Sequence, residues 1–446
     1  MKTIWNQTCR IPRRNELPGN LDTEVAIIGG GLAGILLAFY LAQEGKQAVV
    51  LEASSIGSGQ TKGTTAKITS QHNLIYQKLL TDFGESALNT YARSNEQAIR
   101  EYKRLIAARS ISCCFETKPA FLYTMKHPDA IHIEAMVARS AGIPATEVTD
   151  TELPFAVKRA LCFPEQASFH PLKFLEALCS TLTVFENTPV LSVKDHTLIT
   201  PHGRVTANKI VFACHYPFPL VPGYYSFRMY QEQSYVLALD HVPELKGMYL
   251  GTDPDGLSLR SAGKYLLFGG QNCRTGHPNP APYDTLSSLA RSFFPQSQAV
   301  SHWSAQDCMT LDSLPFIGPF SRKKPDWYVA TGFGKWGMTF SMISAHIITG
   351  LICQKKLPWK NIYSPLRFRL RPAAPRLASH CAESSMGLLK GLGPNIMRCP
   401  HMGCRLSWNS ADSTWDCPCH GSRFDRLGHL IAGPAQTSCR PHKLIP

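Results

Sequence analysis

The stretch Thr23-Glu-Val-Ala-Ile-Ile-Gly-Gly-Gly-Leu-Ala-Gly-Ile-Leu36 decides how this chain folds. Residues 25–28 form a short apolar run of the kind that makes a buried parallel strand. The run breaks into Gly29-Gly30-Gly31-Leu32-Ala33-Gly34, which fits G-x-G-x-x-G, and an apolar helix follows over residues 32–44, stopped by Gly45. A second strand, 47–51, ends in Glu52. Gly29 makes the tight turn, Gly31 lets backbone approach a pyrophosphate, and Gly34 lets helix and strand pack closely. The helix N-terminus presents free N–H groups and partial positive charge to phosphates. Glu52, at the tip of the second strand, accepts hydrogen bonds from a ribose. Strand, turn, helix, second strand and terminal acid in register predict a dinucleotide site.

Outward from this unit, residues 54–72 form a loop rich in glycine, serine and threonine, suited to lie against a bound cofactor. Residues 74–109 carry helical spacing with a break at Thr81-Asp-Phe-Gly84. Residues 115–123 read as a strand and 130–141 as a helix. Residues 167–178 read as a loop entering a helix with Pro171 in its first turn. Residues 184–193 and 209–214 are expected to be strands returning to the first sheet. β-rich segments at 228–239 and 264–270 suggest an antiparallel, substrate-side layer. A strand at 327–330 precedes a second glycine turn, Thr331-Gly-Phe-Gly-Lys-Trp-Gly-Met-Thr339, which opens a helix reaching residue 353. No internal repeat is present.

The chain has 446 residues, enough for two or three domains, and 44% hydrophobic residues, as in an ordinary globular protein. Its net charge of +14 is scattered rather than blocked, which argues against a nucleic-acid groove and for an acidic substrate or an acidic redox partner. The N-terminal 20 residues lack the apolar core of a signal peptide, and residues 338–353 are too short and too polar to span a bilayer, so a cytoplasmic location is expected. The 15 cysteines are mostly scattered, unlike a secreted disulfide framework. Cys113-Cys114 is read as a structural pair in a β-like segment.

Gly29–Gly34 with Glu52, the loop at 57–63, Pro315-Phe-Ile-Gly318 and the turn at 332–339 together resemble the glycine oxidase/D-amino acid oxidase family of FAD-dependent oxidoreductases. The resemblance covers about residues 20–360 and implies FAD. It implies that Gly29, Gly30, Gly31, Ala33 and Gly34 hold the pyrophosphate and Glu52 with Ala53 the ribose. Thr61, Thr64 and Thr65 would lie along the cofactor, with Val190 on its adenine side. Gly332, Phe333, Gly334, Gly337, Met338 and Thr339 would line the isoalloxazine. Such enzymes oxidise C–N bonds by hydride transfer to the flavin N5, so side chains chiefly orient the substrate. Arg228, Tyr235 and Arg260, in the expected substrate sheet, are candidates to hold a carboxylate. The family alignment puts His215 and Lys335 near the ring.

Near the C-terminus, Cys399-Pro-His401-Met-Gly-Cys404 is followed by Cys417-Pro-Cys419-His420-Gly-Ser422. Each loop offers one Cys and one His, with a cysteine left over. Cys₂His₂ also suits structural zinc. The pattern resembles a Rieske [2Fe–2S] centre, in which His₂ replaces Cys₂ on one iron. That resemblance implies Cys399 and Cys417 on one iron, His401 and His420 on the other, and a Cys404–Cys419 disulfide. Ser422 matches the serine that bonds the cluster sulfide, and Gly433-Pro-Ala435 the proline loop covering it. Phe424 stands where high-potential members carry tyrosine, which predicts a potential in the lower part of roughly −150 to +300 mV. Residues 371–398 show little strand pattern, so the module reads as shortened.

The expected architecture is α/β and α+β. A Rossmann-like FAD-binding domain is assembled from 21–103, 150–216 and 304–357. A mixed antiparallel β substrate domain comprises 104–149 and 217–303. A linker over 358–375 leads to a small all-β Rieske-type module at 376–446. The expected activity is oxidation of an amine or amino acid by flavin, with electrons passing singly through the cluster to an external acceptor. The alternatives are reversed flow, as in a reductase or oxygenase, and a redox sensor without turnover.

Overall fold

A computed structural model describes residues 2–357, 359–367, 369–392 and 396–439. Strand Leu21–Ile28 lies at the centre of an eight-stranded sheet. Ala48–Leu51 and then Thr183–Phe185 flank it on one side, and Gly203–Phe212 and then Lys324–Thr331 on the other, all parallel. Phe316–Ser321 closes that edge antiparallel, and Ser192–Lys194 with Thr197–Thr200 extends Gly203–Phe212. The second half of the central strand, residues 25–28, is an unbroken apolar run because both its faces are covered. Val25 and Ile27 pack under helices Leu32–Gln43 and Gly337–Ile352, while Ala26 and Ile28 face Phe212 and Trp327. The two helices are apolar nearly all round because they pack on each other as well as on the sheet.

The second sheet has nine strands, eight of them in the order Gln298–Thr310, Met229–Asp240, Tyr265–Arg274, Ser258–Ala262, Met248–Gly251, Glu116–Thr124, Arg159–Ser168 and Lys67–Ile68. Thr146–Val148 pairs with Arg159–Ser168. All pairs are antiparallel except Met248–Gly251 with Glu116–Thr124. A four-stranded antiparallel meander, Ser407–Asn409, Thr414–Asp416, Arg423–Phe424 and Leu430–Ala432, forms the C-terminal module. The molecule is thus a mixed α/β protein carrying a small β-rich module.

Several sequence expectations shift. The expected long strand at 184–193 is interrupted after Phe185, because buried Glu186 turns inward and accepts hydrogen bonds from the N–H groups of Ile56 (2.7 Å) and Arg14 (3.0 Å). Cys113-Cys114 is not in a strand but in the turn before Glu116–Thr124, with Cys114 at φ 51° and both thiols free. Sheet membership crosses the expected domain boundaries: Lys67–Ile68 and Arg159–Ser168, from segments assigned to the FAD-binding domain, belong to the second sheet. The break at residue 84 is a single glycine at φ 83° between helices Tyr76–Phe83 and Glu85–Ala108.

The expected linker is not a free tether. Tyr363 is fully buried, and Arg367 forks onto Asp312 (2.7 and 2.9 Å) while donating to the Pro315 carbonyl (2.8 Å). Beyond it, Leu370–Lys390 is a 21-residue helix that begins inside the linker segment. Pro372 is tolerated because it falls in the first turn, where its missing N–H has no intrahelical partner.

Candidate functional site

A cavity of about 1270 Å³ runs between the two sheets and under the C-terminal module. That exceeds the roughly 300–1,000 Å³ of a drug-sized site, which leaves room for a dinucleotide and a small substrate together.

Its inner end is the first glycine turn. Gly31 caps the helix with no side-chain acceptor of its own, and the Leu32 N–H donates to Thr61 Oγ1 (3.1 Å). A Cβ on Gly34 would be driven into the carbonyl oxygen of Gly29, and one on Gly30 would stand 3.0 Å from Glu52 Cβ. The Glu52 carboxylate accepts from the N–H of Gly30 (2.6 Å) and of Ser54 (2.9 Å). Burial raises its pKa, against which these two backbone donors pull. Gly29, Gly31, Ala33, Glu52, Ala53, Thr61, Thr64, Thr65 and Val190 line the cavity; Gly30 and Gly34 lie behind that wall. The uncapped helix N-terminus, with no acidic residue in its first turn, fits the pyrophosphate of FAD. Gly34→Ala is expected to yield protein without flavin absorbance, since the added methyl forces helix and strand apart. Flavin content after purification tests this.

At the far end, Gly332, Phe333, Gly334, Lys335, Gly337 and Met338 line the cavity, while Thr339 is buried beneath, beside His72 Nε2 (3.3 Å). Lys335 Nζ donates to Ser234 Oγ (3.0 Å) and Asn272 Oδ1 (3.2 Å) and pairs with Glu232 (3.3 Å). His215 and Tyr235 also line it. Arg228 does not: it stacks on Phe316 (4.1 Å to the ring centroid) and donates to the carbonyls of Pro365 (2.8 Å) and Arg367 (3.2 Å). The Arg260 guanidinium likewise donates to the Ala66 carbonyl (2.9 Å), outside the cavity wall. The expectation that either arginine holds a substrate carboxylate is corrected on this geometry.

Cavity groups not singled out from sequence are Lys67, His72 and Asp307. Lys67 Nζ donates to the Tyr249 carbonyl and to Ser258 Oγ, both at 2.8 Å, and burial beside Arg260 lowers its pKa to about 7. His72 stacks on Trp336 (4.5 Å), and burial holds it neutral, near 3. Burial lifts Asp307 to about 6. Lys67 and His72 sit in the Thr-rich loop whose hydroxyls and glycines dominate its reading.

In the C-terminal module the two Cys/His loops are conformational copies. Each closes by a glycine N–H donating to the cysteine carbonyl four residues earlier, Gly403 to Cys399 and Gly421 to Cys417, both 2.9 Å, with the glycines at φ 83° and 82°. Only glycine takes that left-handed turn without strain. Cys404 and Cys419 form a disulfide tying the loops together. Cys399 and Cys417 remain free, both 1% exposed. The imidazoles of His401 and His420 meet edge to face at 5.0 Å, and the Nδ1 of each is buried without a hydrogen-bond partner. Burial depresses both, so they are neutral ligands. Two thiols and two orphaned imidazole nitrogens, with a separate disulfide, fit a Rieske [2Fe–2S] cluster. Ser422 Oγ accepts from the Ala435 N–H (3.0 Å), pinning the proline loop over the site.

The body of the protein packs directly against the cluster loops. Gln231 Nε2 donates to the His420 carbonyl (2.7 Å) and Gln306 Nε2 to the Gly421 carbonyl (2.7 Å). His380, on the helix the sequence did not reveal, packs 5.8 Å from the His420 ring, and Gly387 of that helix lies against the disulfide.

A family model described as FAD dependent oxidoreductase (DAO) matches residues 24–351. The chain belongs to the DAO family of FAD-dependent oxidoreductases. A second model, the Rieske [2Fe-2S] domain, matches residues 395–443, so this family member uses both FAD and a Rieske cluster. YhfW of Bacillus subtilis (strain 168), which carries the name Rieske 2Fe-2S iron-sulfur protein, is 33% identical over 97% of this chain and 96% of its own. The iron-sulfur subunit 1 of the Cyanophora paradoxa cytochrome b6-f complex is 34% identical over 80 residues, 18% of this chain and 33% of the subunit. In fold, the family body is similar to glycine oxidase from Geobacillus kaustophilus (TM-score 0.67, 18% identity, 78% of this chain and 99% of that one). It is also similar to L-proline dehydrogenase from P. horikoshii (TM-score 0.65, 18% identity, 79% and 98%). Among the described residues no helix is long and apolar enough to cross a membrane.

Proposed function

We propose that this DAO-family enzyme oxidises the C–N bond of an amine or amino acid and passes the electrons singly through its Rieske centre to an external acceptor. The carrying observation is a shared wall: residues 430–433 and 435 of the cluster module line the same cavity as Gly29 and Gly31 of the first glycine turn and residues 332–337 of the second. When bound, FAD supplies a two-electron acceptor and the cluster a one-electron carrier. The turn at 29–34 and Glu52 would hold the dinucleotide, and Gly332, Gly334 and Met338 would lie on the side of its ring. Cys399, Cys417, His401 and His420 hold the cluster.

Lys67 is the residue best placed to hold a substrate carboxylate. Its ammonium is deep in the cavity, both its hydrogen-bond partners are uncharged, and Arg260 adds positive charge nearby. A buried cation so placed calls for an anionic ligand. Asp307, lifted towards neutrality, suits removal of a proton from a substrate ammonium. Tyr235, Lys335 and His215 complete the orienting set. His401 is the more exposed of the two imidazoles and offers the exit side, where an acidic redox partner would suit a chain of net charge +14.

Anaerobic titration of the holoenzyme with glycine, L-proline and a panel of D- and L-amino acids tests the reading. The expected result is flavin bleaching followed by a Rieske EPR signal with substrate alone. A cluster signal that appears only when an external reductase is added would overturn it in favour of reversed flow.

A further inference from the structure

We propose that Gln231 is a positioning residue that couples the two cofactor sites, its side-chain amide bridging His215 in the flavin cavity to the peptide of His420 at the cluster. The inference rests on the proposed pairing of those two sites.

Gln231 lies on the strand Met229–Asp240 and is 2% exposed. Its Nε2 faces two carbonyls, those of His420 (2.7 Å) and Gly433 (3.2 Å). Carbonyl oxygens only accept, so the amide orientation is settled by its surroundings. Oε1 is then an acceptor turned towards His215 Nε2, 3.1 Å away. A neutral His215 must therefore carry its proton on Nε2, and its Nδ1 is the lone-pair nitrogen. One amide fixes a tautomer on one side and a loop peptide on the other.

Neither end of this bridge has slack. His215 sits at φ 68°, a left-handed conformation that a non-glycine residue keeps only when its surroundings over-determine it. Its carbonyl accepts from Thr331 Oγ1 and from Cys308 Sγ (3.4 Å), both beside the second glycine turn. At the other end, a Cβ on Gly421 would stand 2.7 Å from Gln231 Cβ, so the cluster loop lies backbone-first on the glutamine. Displacing the imidazole pulls on the amide, and the amide holds both the His420 peptide and the loop covering the cluster.

Gln306 supplies the internal control. It clamps the same loop, donating to the Gly421 carbonyl (2.7 Å) and to Thr275 Oγ1 (3.2 Å), but its amide meets no cavity histidine. Gln306 holds the module in place; Gln231 holds it in place and reads the cavity.

Linkage between two sites is reciprocal, so the test reads each from the other. The probe at the cluster is the EPR spectrum of dithionite-reduced holoenzyme, and at the flavin the visible spectrum of the oxidised holoenzyme. His215→Phe, which touches nothing in the cluster loop, is expected to shift the cluster g-values. His215→Gln, which can still donate to Gln231 Oε1, is expected to restore them. Gln231→Leu, outside the cavity wall, is expected to shift the flavin bands and to leave His215→Phe without further effect on the g-values in the double variant. Gln306→Leu is expected to leave the flavin bands in place. Unchanged g-values in His215→Phe would overturn the proposal, since that variant leaves both amide donors to the cluster loop, Gln231 Nε2 and Gln306 Nε2, in place. Wild-type protein lacking either the flavin bands or the Rieske signal would instead overturn the cofactor pairing beneath it.

Discussion

Cys417→Ser is expected to abolish the Rieske EPR signal while FAD stays bound and substrate still bleaches it. Cys417 is 1% exposed and belongs to a loop whose shape is held independently, by the Gly421 N–H to its carbonyl and by the Cys404–Cys419 disulfide next to it. The substitution therefore removes a ligand rather than a fold. A serine hydroxyl stays protonated where a cysteine becomes thiolate, and soft thiolate is what an iron–sulfur cluster requires. The flavin half-site is built on the parallel sheet, from Gly29, Gly31 and Glu52. Turnover with a one-electron protein acceptor should fall by more than about 10²-fold, because even removing a group that only hydrogen-bonds a metal ligand costs about 10–100-fold. The reductive half-reaction, followed anaerobically by flavin absorbance, should change little. Loss of substrate bleaching along with the EPR signal would mean the module is needed to build the substrate cavity, through residues 430–436, rather than to carry electrons away from it.

What could be read from the sequence divides by range. The first glycine turn was legible because strand, turn, helix and Glu52 lie within thirty consecutive residues and each constrains the next. The cluster donors were legible because their spacing repeats within two short loops. Gln231 and Gln306 were not. Residues 231, 233 and 235 alternate inward along one strand, and polar side chains on that buried face were the only available signal. Their partners lie 189 and 115 residues further on, and nothing local distinguishes a glutamine facing an iron–sulfur loop from one facing solvent. Arg228 failed in the opposite direction. An arginine beside a substrate sheet suggests a carboxylate clamp, but here Phe316, Tyr225 and two carbonyls satisfy it. The helix Leu370–Lys390 was obscured by its own composition. Its glycine at 387 weakens helical propensity, yet a Cβ there would stand 2.6 Å from Cys419 Sγ. The glycine that hides the helix is the one that lets it lie against the disulfide.

That same borrowed packing makes Arg423 the side chain whose loss should loosen the module most. Arg423 enters the interface from the strand Arg423–Phe424 and is 8% exposed. It pairs with Asp416 at 3.0 Å and with Asp412 at 2.6 Å. Asp416 is completely buried and also accepts from Asn409 Nδ2 (3.0 Å). Asp412 accepts from Tyr283 Oη (2.9 Å), which comes from the substrate-side body, so this cluster ties module to body as well as strand to strand. Arg423→Met keeps the length of the side chain and removes its charge, leaving the buried Asp416 and the mostly buried Asp412 carboxylates without their cation. Removing one partner of a buried pair costs about 3–5 kcal/mol. That is of the same order as the whole stability of a small module, about 5 kcal/mol at the low end of the usual range. The expected outcome is a module that undocks, seen as rapid proteolysis within residues 391–446 and loss of the EPR signal while flavin is retained. Asp416→Asn added to Arg423→Met should recover part of the protection, because it removes one of the two stranded charges while keeping a group that can hydrogen-bond. Equal protease resistance in Arg423→Met and wild type would mean that the amide clamps of Gln231 and Gln306 and the helix at 370–390 hold the module without the ion pairs. Complete resistance to rescue would put the cost in the lost guanidinium hydrogen bonds to Asp412, Asp416 and Thr414 rather than in unpaired charge.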